Sequence, residues 1–485
     1  MVGWRHPTGT RAPRGGEGAG LTPRSLPWRT RLAAFAGRFV ALLLRLLHRG
    51  ATTVPGRVAL SLDPAVARRL AAALPRGAAL ISGTNGKTTT AALLRAALEQ
   101  HGLRVAHNRG GANLRTGVAA ALLRAPLADV ALLEVDEATM PWAGRQLRPR
   151  MAAVTNFFRD QLDRYGELET AVALVRRGLE AMPEGGAVAF CADDPISAAL
   201  GDSLSHHRPW PFGVHASVAA PGGGAPSDAP RCPRCGEALR YTVRFYAHLG
   251  HYGCSACSFR RPEPEVEVLA WLPPAGPRPG EITLRIPGGR LTAPLAQPGL
   301  YSAYNAAAAV AGALALGLPE DDVAAALRRQ PGVFGRMERL QLRGHPAYLA
   351  LVKNPVGCSE VLRAVLEDAT PGKALALLLN DRPADGTDVS WIWDADFEAL
   401  GRDQDGFAAI VAGGTRAADM ALRLHYAGVT AERLQLAPDP EAAMAAAARA
   451  ASPGAPVYVL PTYTALLQAR AVLVRQGEAV PFWEV

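Results

Sequence analysis

The sequence predicts an α/β protein built on doubly wound, mostly parallel sheets, and three observations carry that prediction. From Val58 onward, short apolar runs alternate with longer helix-forming runs, the pattern of a parallel sheet with crossover helices. Polar, glycine-bearing turns follow the apolar runs, where such a sheet binds ligands at the carboxyl ends of its strands. The chain has 485 residues, is 49% hydrophobic and only 6% aromatic, which describes a globular protein with room for roughly two to four domains.

The amino-terminal fifty residues stand outside that pattern. Residues 1–26 are rich in Gly, Pro and Arg without an apolar period, the composition of a disordered tail. Arg5, Arg11, Arg14, Arg24, Arg29, Arg31, Arg38, Arg45 and Arg49 have almost no acidic partner there, so much of the formal net charge of +9 is local. Such concentration argues for a local anionic contact and against a nucleic-acid surface spread over the whole protein. Within residues 28–47, Leu32, Phe35, Phe39, Leu42, Leu43 and Leu46 fall at helical spacing among arginines. The segment is too short and too charged to span a bilayer, and it lacks the small-residue cleavage site of a signal peptide. Two readings stand: a basic amphipathic helix on the inner, anionic face of the cell membrane, or a helix packed onto the first domain.

The next domain is expected over residues 51–335, with strands at 78–81, 103–107, 130–135 and 152–156 and helices at 88–100, 117–125 and 167–182. Its first strand runs into Gly83-Thr84-Asn85-Gly86-Lys87-Thr88-Thr89. A strand, a glycine-bearing turn and a helix make a phosphate cradle, because backbone N–H groups and the helix dipole favour an anion. The long nucleotide-loop pattern wants a glycine where Ile81 stands, so this is the shorter form, G-T-x-G-K-T-T. Lys87 would reach the terminal phosphates of a nucleotide, and the Thr88 hydroxyl would sit on Mg²⁺. The third strand ends in Glu134-Val135-Asp136-Glu137. A carboxylate at that strand end, Glu134, is where a second protein oxygen for Mg²⁺ belongs.

Two later stretches of this domain repeat the theme. Asn108-Arg109-Gly110-Gly111-Ala112-Asn113 is a polar, glycine-rich loop after the second strand, and Thr155-Asn156-Phe157-Phe158-Arg159-Asp160-Gln161-Leu162-Asp163-Arg164-Tyr165-Gly166 follows the fourth. Then the text changes register. Cys232-Pro233-Arg234-Cys235 and Cys254-Ser255-Ala256-Cys257 lie eighteen residues apart, with a short hairpin expected at 239–246 and 251–252 between them. Two C-x-x-C knuckles at this separation predict a zinc ribbon at about residues 228–264, four thiolates closed around one structural Zn²⁺. Six cysteines are too few for a disulfide scaffold of this size and suit a reducing cytoplasm.

A strand pair is expected at 281–286 and 290–294, where the central domain resumes, and a second, smaller Rossmann-like domain is expected over residues 336–485. Its strands fall at 348–352, 374–379, 408–411 and 457–460. After the second of them, Asn380 to Asp394 place Asp381, Asp385 and Asp388 within eight residues, flanked by Gly386 and followed by Trp391 and Trp393. That density exceeds what loop solubility needs.

These motifs together resemble the Mur ligase family, ATP-dependent enzymes that join an amine to a carboxylate through an acyl phosphate. The short G-T-x-G-K-T-T loop, the segment from Thr155 to Gly166, Ala192-Asp193-Asp194-Pro195, the run from Gly299 through Tyr304-Asn305 to Ala309, and Phe334-Gly335-Arg336-Met337-Glu338 all match its signatures. Gln161 and Tyr165 stand where the family has histidines, and Ser302 replaces an asparagine. Within that family the inserted ribbon, Lys353-Asn354-Pro355-Val356-Gly357, the Asn380–Asp394 stretch and Thr462-Tyr463-Thr464-Ala465 are similar to the MurT branch. The resemblance implies Asn305 beside the nucleotide and Arg336 on its phosphate. It implies amidation of the α-carboxylate of D-glutamate in the lipid II stem, with ammonia from a GatD-type glutaminase in a heterodimer. An acidic residue, Asp388 or Asp385, would orient ammonia or take its proton. Three rivals are a ligase of the Mur or folylpolyglutamate type that adds an amino acid, a zinc-ribbon nucleic-acid module, and an inactive scaffold. Against the second, the insert's basic residues are interrupted by Glu237, Glu263, Glu265 and Glu267. Against the third stands the intact phosphate loop.

Overall fold

A computed structural model describes residues 26–46, 52–108, 111–160, 168–218, 227–274, 280–329 and 335–480. The expectations for Arg109, Gly110, Gln161 to Gly166, Phe334 and the tail through residue 25 lie outside the described residues. The first sheet holds nine strands. They are β1 (Ala78–Ser82), β2 (Val105–His107), β3 (Val130–Glu134), β4 (Met151–Val154), β5 (Ala187–Cys191), β6 (Arg208–Val214), then, past the hairpin β7 (Leu239–Tyr246) and β8 (Leu249–Cys254), β9 (Val266–Leu272), β10 (Gly280–Ile286) and β11 (Gly289–Leu295). Their order is β11-β10-β9-β6-β5-β4-β1-β3-β2, parallel from β2 through β9 and antiparallel across β9, β10 and β11.

Sequence decides which strands sit deep. Every residue of β1, β3, β4 and β5 is buried, because helices cover both faces of a parallel sheet and leave no face for polar side chains. At the antiparallel end, β10 alternates buried Ile282, Leu284 and Ile286 with more exposed Glu281, Thr283 and Arg285. The alanine-rich helix Leu300–Ala315 crosses one face against β4, β5, β6 and β9, and its small side chains let it lie close. On the other face pack helices including Arg115–Arg124 and Met140–Leu147.

The second sheet has the order β12-β13-β17-β14-β15-β16, from β12 (Glu338–Leu342), β13 (His345–Leu349), β14 (Lys373–Leu378), β15 (Phe407–Gly413), β16 (Leu434–Leu436) and β17 (Val457–Pro461). Only its β12–β13 pair is antiparallel. Helix Pro355–Leu366 begins at Asn354, whose side chain accepts from Gly357 N at 2.8 Å.

Several expectations shift. The 103–107 strand shortens to β2, and the 348–352 strand moves back to His345–Leu349. Beyond β13, Ala350 N and Val352 N still donate to Val459 O and Pro461 O, so the ladder runs on where the strand geometry has ended. Strand β6 carries Pro209 and Pro211 and so does not read as a central strand. It tolerates them because β9 joins its far side only from Phe212 on. The helix expected in the amino-terminal segment spans Trp28–Leu46 and packs on the helices Val54–Leu62 and Arg115–Arg124 through Ala33, Ala34, Gly37 and Ala41. Thr30 Oγ1 donates to Asp63 at 2.6 Å, and Arg69 adds an ion pair at 2.7 Å. The packed reading describes this inner face. Among the described residues no helix is long and apolar enough to cross a membrane.

Candidate active site

The loop between β1 and the helix Lys87–Gln100 turns on two glycines in left-handed backbone, Gly83 at φ +114° and Gly86 at φ +87°. A Cβ on Gly83 would meet Thr155 Oγ1 at 2.4 Å, and one on Gly86 would meet Asn305 Oδ1 at 2.0 Å. The loop is clamped to the segment after β4. Thr84 N donates to Asn156 O at 2.8 Å, Asn85 N to Asn156 Oδ1 at 2.9 Å, and Phe158 N to Thr84 Oγ1 at 3.1 Å. Thr88 and Thr89 follow in the first turn, Thr88 on a cleft of about 320 Å³ and Thr89 on the neighbouring recess with Asn305 and Arg336. Loop glycines held open by side chains, at a helix N-terminus, fit the phosphates of a nucleotide.

Lys87 is buried and folded back on its own loop. Its Nζ donates to Gly83 O, to Thr84 O at 3.3 Å and to Glu137 Oε1 at 3.4 Å. Burial alone would lower its pKa, but Glu137, Asp136, Glu134 and Asp160 outweigh that and hold it above the ordinary lysine value. The ammonium therefore stays charged at neutral pH. Glu134 is buried at the end of β3, where Asn108 grips its backbone: Nδ2 donates to Glu134 O at 2.7 Å, and Oδ1 accepts from Glu134 N at 2.9 Å. Glu134 and Thr88 line the same cleft, a donor set of hard oxygens that fits Mg²⁺. Asp160 adds a buried Oδ1 with no hydrogen-bond partner among the described residues.

The second sheet closes the cleft. Asn354 Nδ2 donates to Asn85 Oδ1 at 2.9 Å, Lys353 pairs with Asp160, and Arg159 pairs with Asp228 and, at 3.6 Å, with Asp394. Arg336 lines the cleft and its recess, its pKa lowered by burial against the pull of Glu134. Sequence reasoning assigned no role to Glu137, Asp160 or Lys353. Glu137 stood beside Glu134 in the text, but nothing local says which carboxylate turns toward Lys87.

The carboxylates after β14 part company. Asp385 is buried on the cleft wall, accepting from Thr464 N at 2.6 Å and from Thr464 Oγ1. Asp388 is exposed, accepts from Ser390 N at 2.8 Å and lines only a side recess with Asp385 and Asp394. Asp381 turns away to Thr415 Oγ1 at 2.9 Å and Arg416 at 3.4 Å. Arg382 is the one Lys or Arg in the run from Asn380 to Asp394, yet the fold brings Lys353 and Arg159 to the recess beside Asp385 and Asp388, both already paired with carboxylates.

The four knuckle cysteines converge, with all four sulfurs within 4.8 Å of one another. Cys232 and Cys257 lie 3.7 Å apart, and Cys235 and Cys254 3.5 Å. Tetrahedral zinc with Zn–S near 2.3 Å requires S–S distances of roughly 3.8 Å, so the donor set fits Zn²⁺. The hairpin between the knuckles is seated on the first sheet. Tyr252 OH donates to Ala192 O at 3.0 Å and Gly250 N to Asp193 O at 2.9 Å. At its turn, Tyr246 and His248 pack on Phe158, ring centroids 6.3 and 4.8 Å away.

Comparison with known proteins agrees with this geometry. The family description "Mur ligase middle domain" matches residues 81–219, and "MurT ligase C-terminal" matches residues 351–466. The MurT subunit of the glutamine-hydrolysing lipid II isoglutaminyl synthase of Staphylococcus aureus (strain N315) is 33% identical over 391 residues, 79% of this chain and 85% of that protein. Its Streptococcus pneumoniae (strain ATCC BAA-255 / R6) counterpart is 32% identical over 452 residues, 92% of this chain and 97% of the other. A pseudomurein peptide ligase type C from Methanothermus fervidus shares the fold, with a TM-score of 0.63 at 20% identity over 82% of this chain and 78% of that one.

Proposed function

The chain belongs to the MurT family of Mur ligases, and from that premise we propose that it amidates the α-carboxylate of D-glutamate in the lipid II stem. The product is D-isoglutamine, and the ammonia comes from a GatD-type glutaminase bound as the second subunit. The observation that carries this reading is one cleft lined by the phosphate loop with Lys87 on one side and by Asp385 on the other.

A carboxylate is a poor electrophile, so it must first take the γ-phosphoryl of ATP. One carboxylate oxygen bonds to phosphorus, ADP leaves, and the acyl carbon gains a good leaving group. The backbone around Gly83, Thr84, Asn85 and Gly86 would hold the phosphates, with Arg336 on the facing wall and Asn305 beside the nucleotide. Lys87, kept charged by its carboxylate neighbours, would stabilise charge on the transferring group. Thr88 and Glu134 would hold Mg²⁺, which when bound would add further charge neutralisation. Ammonia then attacks the acyl carbon, phosphate leaves, and Asp385, with Asp388 at the recess beside it, would orient the amine and take its proton. Lys353 on Asp160 and Asn354 on Asn85 would hold the cleft closed against water, which competes for the acyl phosphate. The four ribbon thiolates would hold Zn²⁺ in a structural role, since they leave no open position. Cytosolic ATP and a lipid-linked acceptor set the reaction at the inner face of the membrane.

The test uses substrate labelled with ¹⁸O in the α-carboxylate. Each amidation should release phosphate carrying one ¹⁸O, because that oxygen bridges carbon and phosphorus before ammonia displaces it. Amide formed with unlabelled phosphate would exclude the acyl phosphate.

A further inference from the structure

We propose that the outer face of the helix Trp28–Leu46 docks on a membrane surface rich in anionic phospholipid and so holds the cleft beside its lipid-linked acceptor. The inner face accounts for Thr30, Ala33, Ala34, Gly37 and Ala41. Diametrically opposite, at successive spacings of four and three, Trp28, Leu32, Phe35, Phe39, Leu42 and Leu46 are all exposed, Trp28 by 75% and Phe35 by 68%. A continuous stripe of large apolar side chains left in water is costly and marks a surface that something covers.

Charge says what covers it. Residues 1–50 hold nine arginines against the single Glu17. Arg31 and Arg45 lie along one edge of the stripe, Arg38 between them donates inward to Leu123 O at 3.0 Å, and the helix has no acidic residue. A second protein would need a matching acidic rim around an apolar groove, whereas an anionic bilayer offers both in one plane. Position gives the same answer. The helix Val54–Leu62, on which Trp28–Leu46 lies, follows Thr53, and Thr53 and Leu114 line the mouth of the cleft. Val54 and Leu114 are themselves exposed there. The bilayer would thus lie beside the cleft entrance. This last point rests on the lipid II reading above, but the binding itself does not.

The experiment is sedimentation of the full chain with vesicles of equal phosphatidylglycerol and phosphatidylcholine, free of any lipid-linked substrate. The chain should bind at least tenfold more tightly than to phosphatidylcholine alone, and rising salt should weaken it. L32S/F35S/F39S, all on the outer face, should lose at least tenfold in binding while amidating a soluble muramyl peptide at the unaltered rate. Equal vesicle binding by the triple variant would overturn the proposal. So would failure of the full chain to bind vesicles, including the case where the stripe instead pairs two copies and the variant merely dissolves a dimer. Vesicle binding without any amidation would condemn the functional reading and leave this inference intact.

Discussion

Lys87 shows what one residue's sequence context reveals and what it hides. The G-T-x-G-K-T-T spacing marks it as the candidate phosphate ligand, but its resting partner Glu137 emerges only when β3 lies next to β1. Lys87→Ala should lower ATP turnover about 10²–10³-fold in a chain that circular dichroism still reports as folded. Activity near the normal level would remove the nucleotide assignment. Asp385 and Asp388 are indistinguishable as text and opposite in space, one buried on the cleft wall and one exposed at a turn. Asp385→Asn should reduce amidation by at least about 10²-fold with little change in ATP affinity, and Asp388→Asn should reduce it less. Steady-state kinetics on both variants checks the order. Glu360 carries a different prediction. Burial pushes its carboxyl up to about 7, although Arg363 lies 3.2 Å away. A folded-state value above the unfolded one means stability is fully present below the unfolded value near 4.5 and is lost as pH rises toward 7. Glu360→Gln should therefore stabilise the protein by roughly 1–3 kcal/mol at pH 8 and leave it nearly unchanged at pH 5. Thermal denaturation at the two pH values reads this directly.

Among elements, the best-read ones carry a chemical reason for their spacing. The phosphate loop and the two cysteine knuckles obey ligand geometry, which is local in sequence. Strand β6 was opaque because its prolines violate the rule for central strands, and what excuses them is a neighbour that pairs only with its end. The four-cysteine insert was legible as a candidate metal site but not as a brace. Its hairpin packs Tyr246 and His248 on Phe158, whose backbone N–H holds Thr84 in the phosphate loop. Elemental analysis should find one Zn²⁺ per chain. Cys254→Ser should lower the melting temperature by several degrees and, through Phe158, weaken ATP binding as a second, smaller effect. A metal-free chain with normal melting and normal ATP affinity would contradict the brace.

For the whole molecule, the alternation of apolar and helical runs made two Rossmann-like sheets legible, since binary patterning follows the burial of each face. Their mutual placement was not legible, because it rests on a few polar pairs hundreds of residues apart, such as Asn85 with Asn354. Those pairs bring the phosphate loop and Asp385 to one cleft, and that convergence is the centre of the functional account. The most direct test is an acceptor comparison with a D-glutamyl lipid II substrate and ATP, supplying either ammonia at high pH or free amino acids. Formation of the α-amide with ammonia, and no peptide bond with any amino acid, is the result expected from a recess where Asp385, Asp388 and Asp394 face cations that are already paired. An amino acid accepted in preference to ammonia would contradict the account.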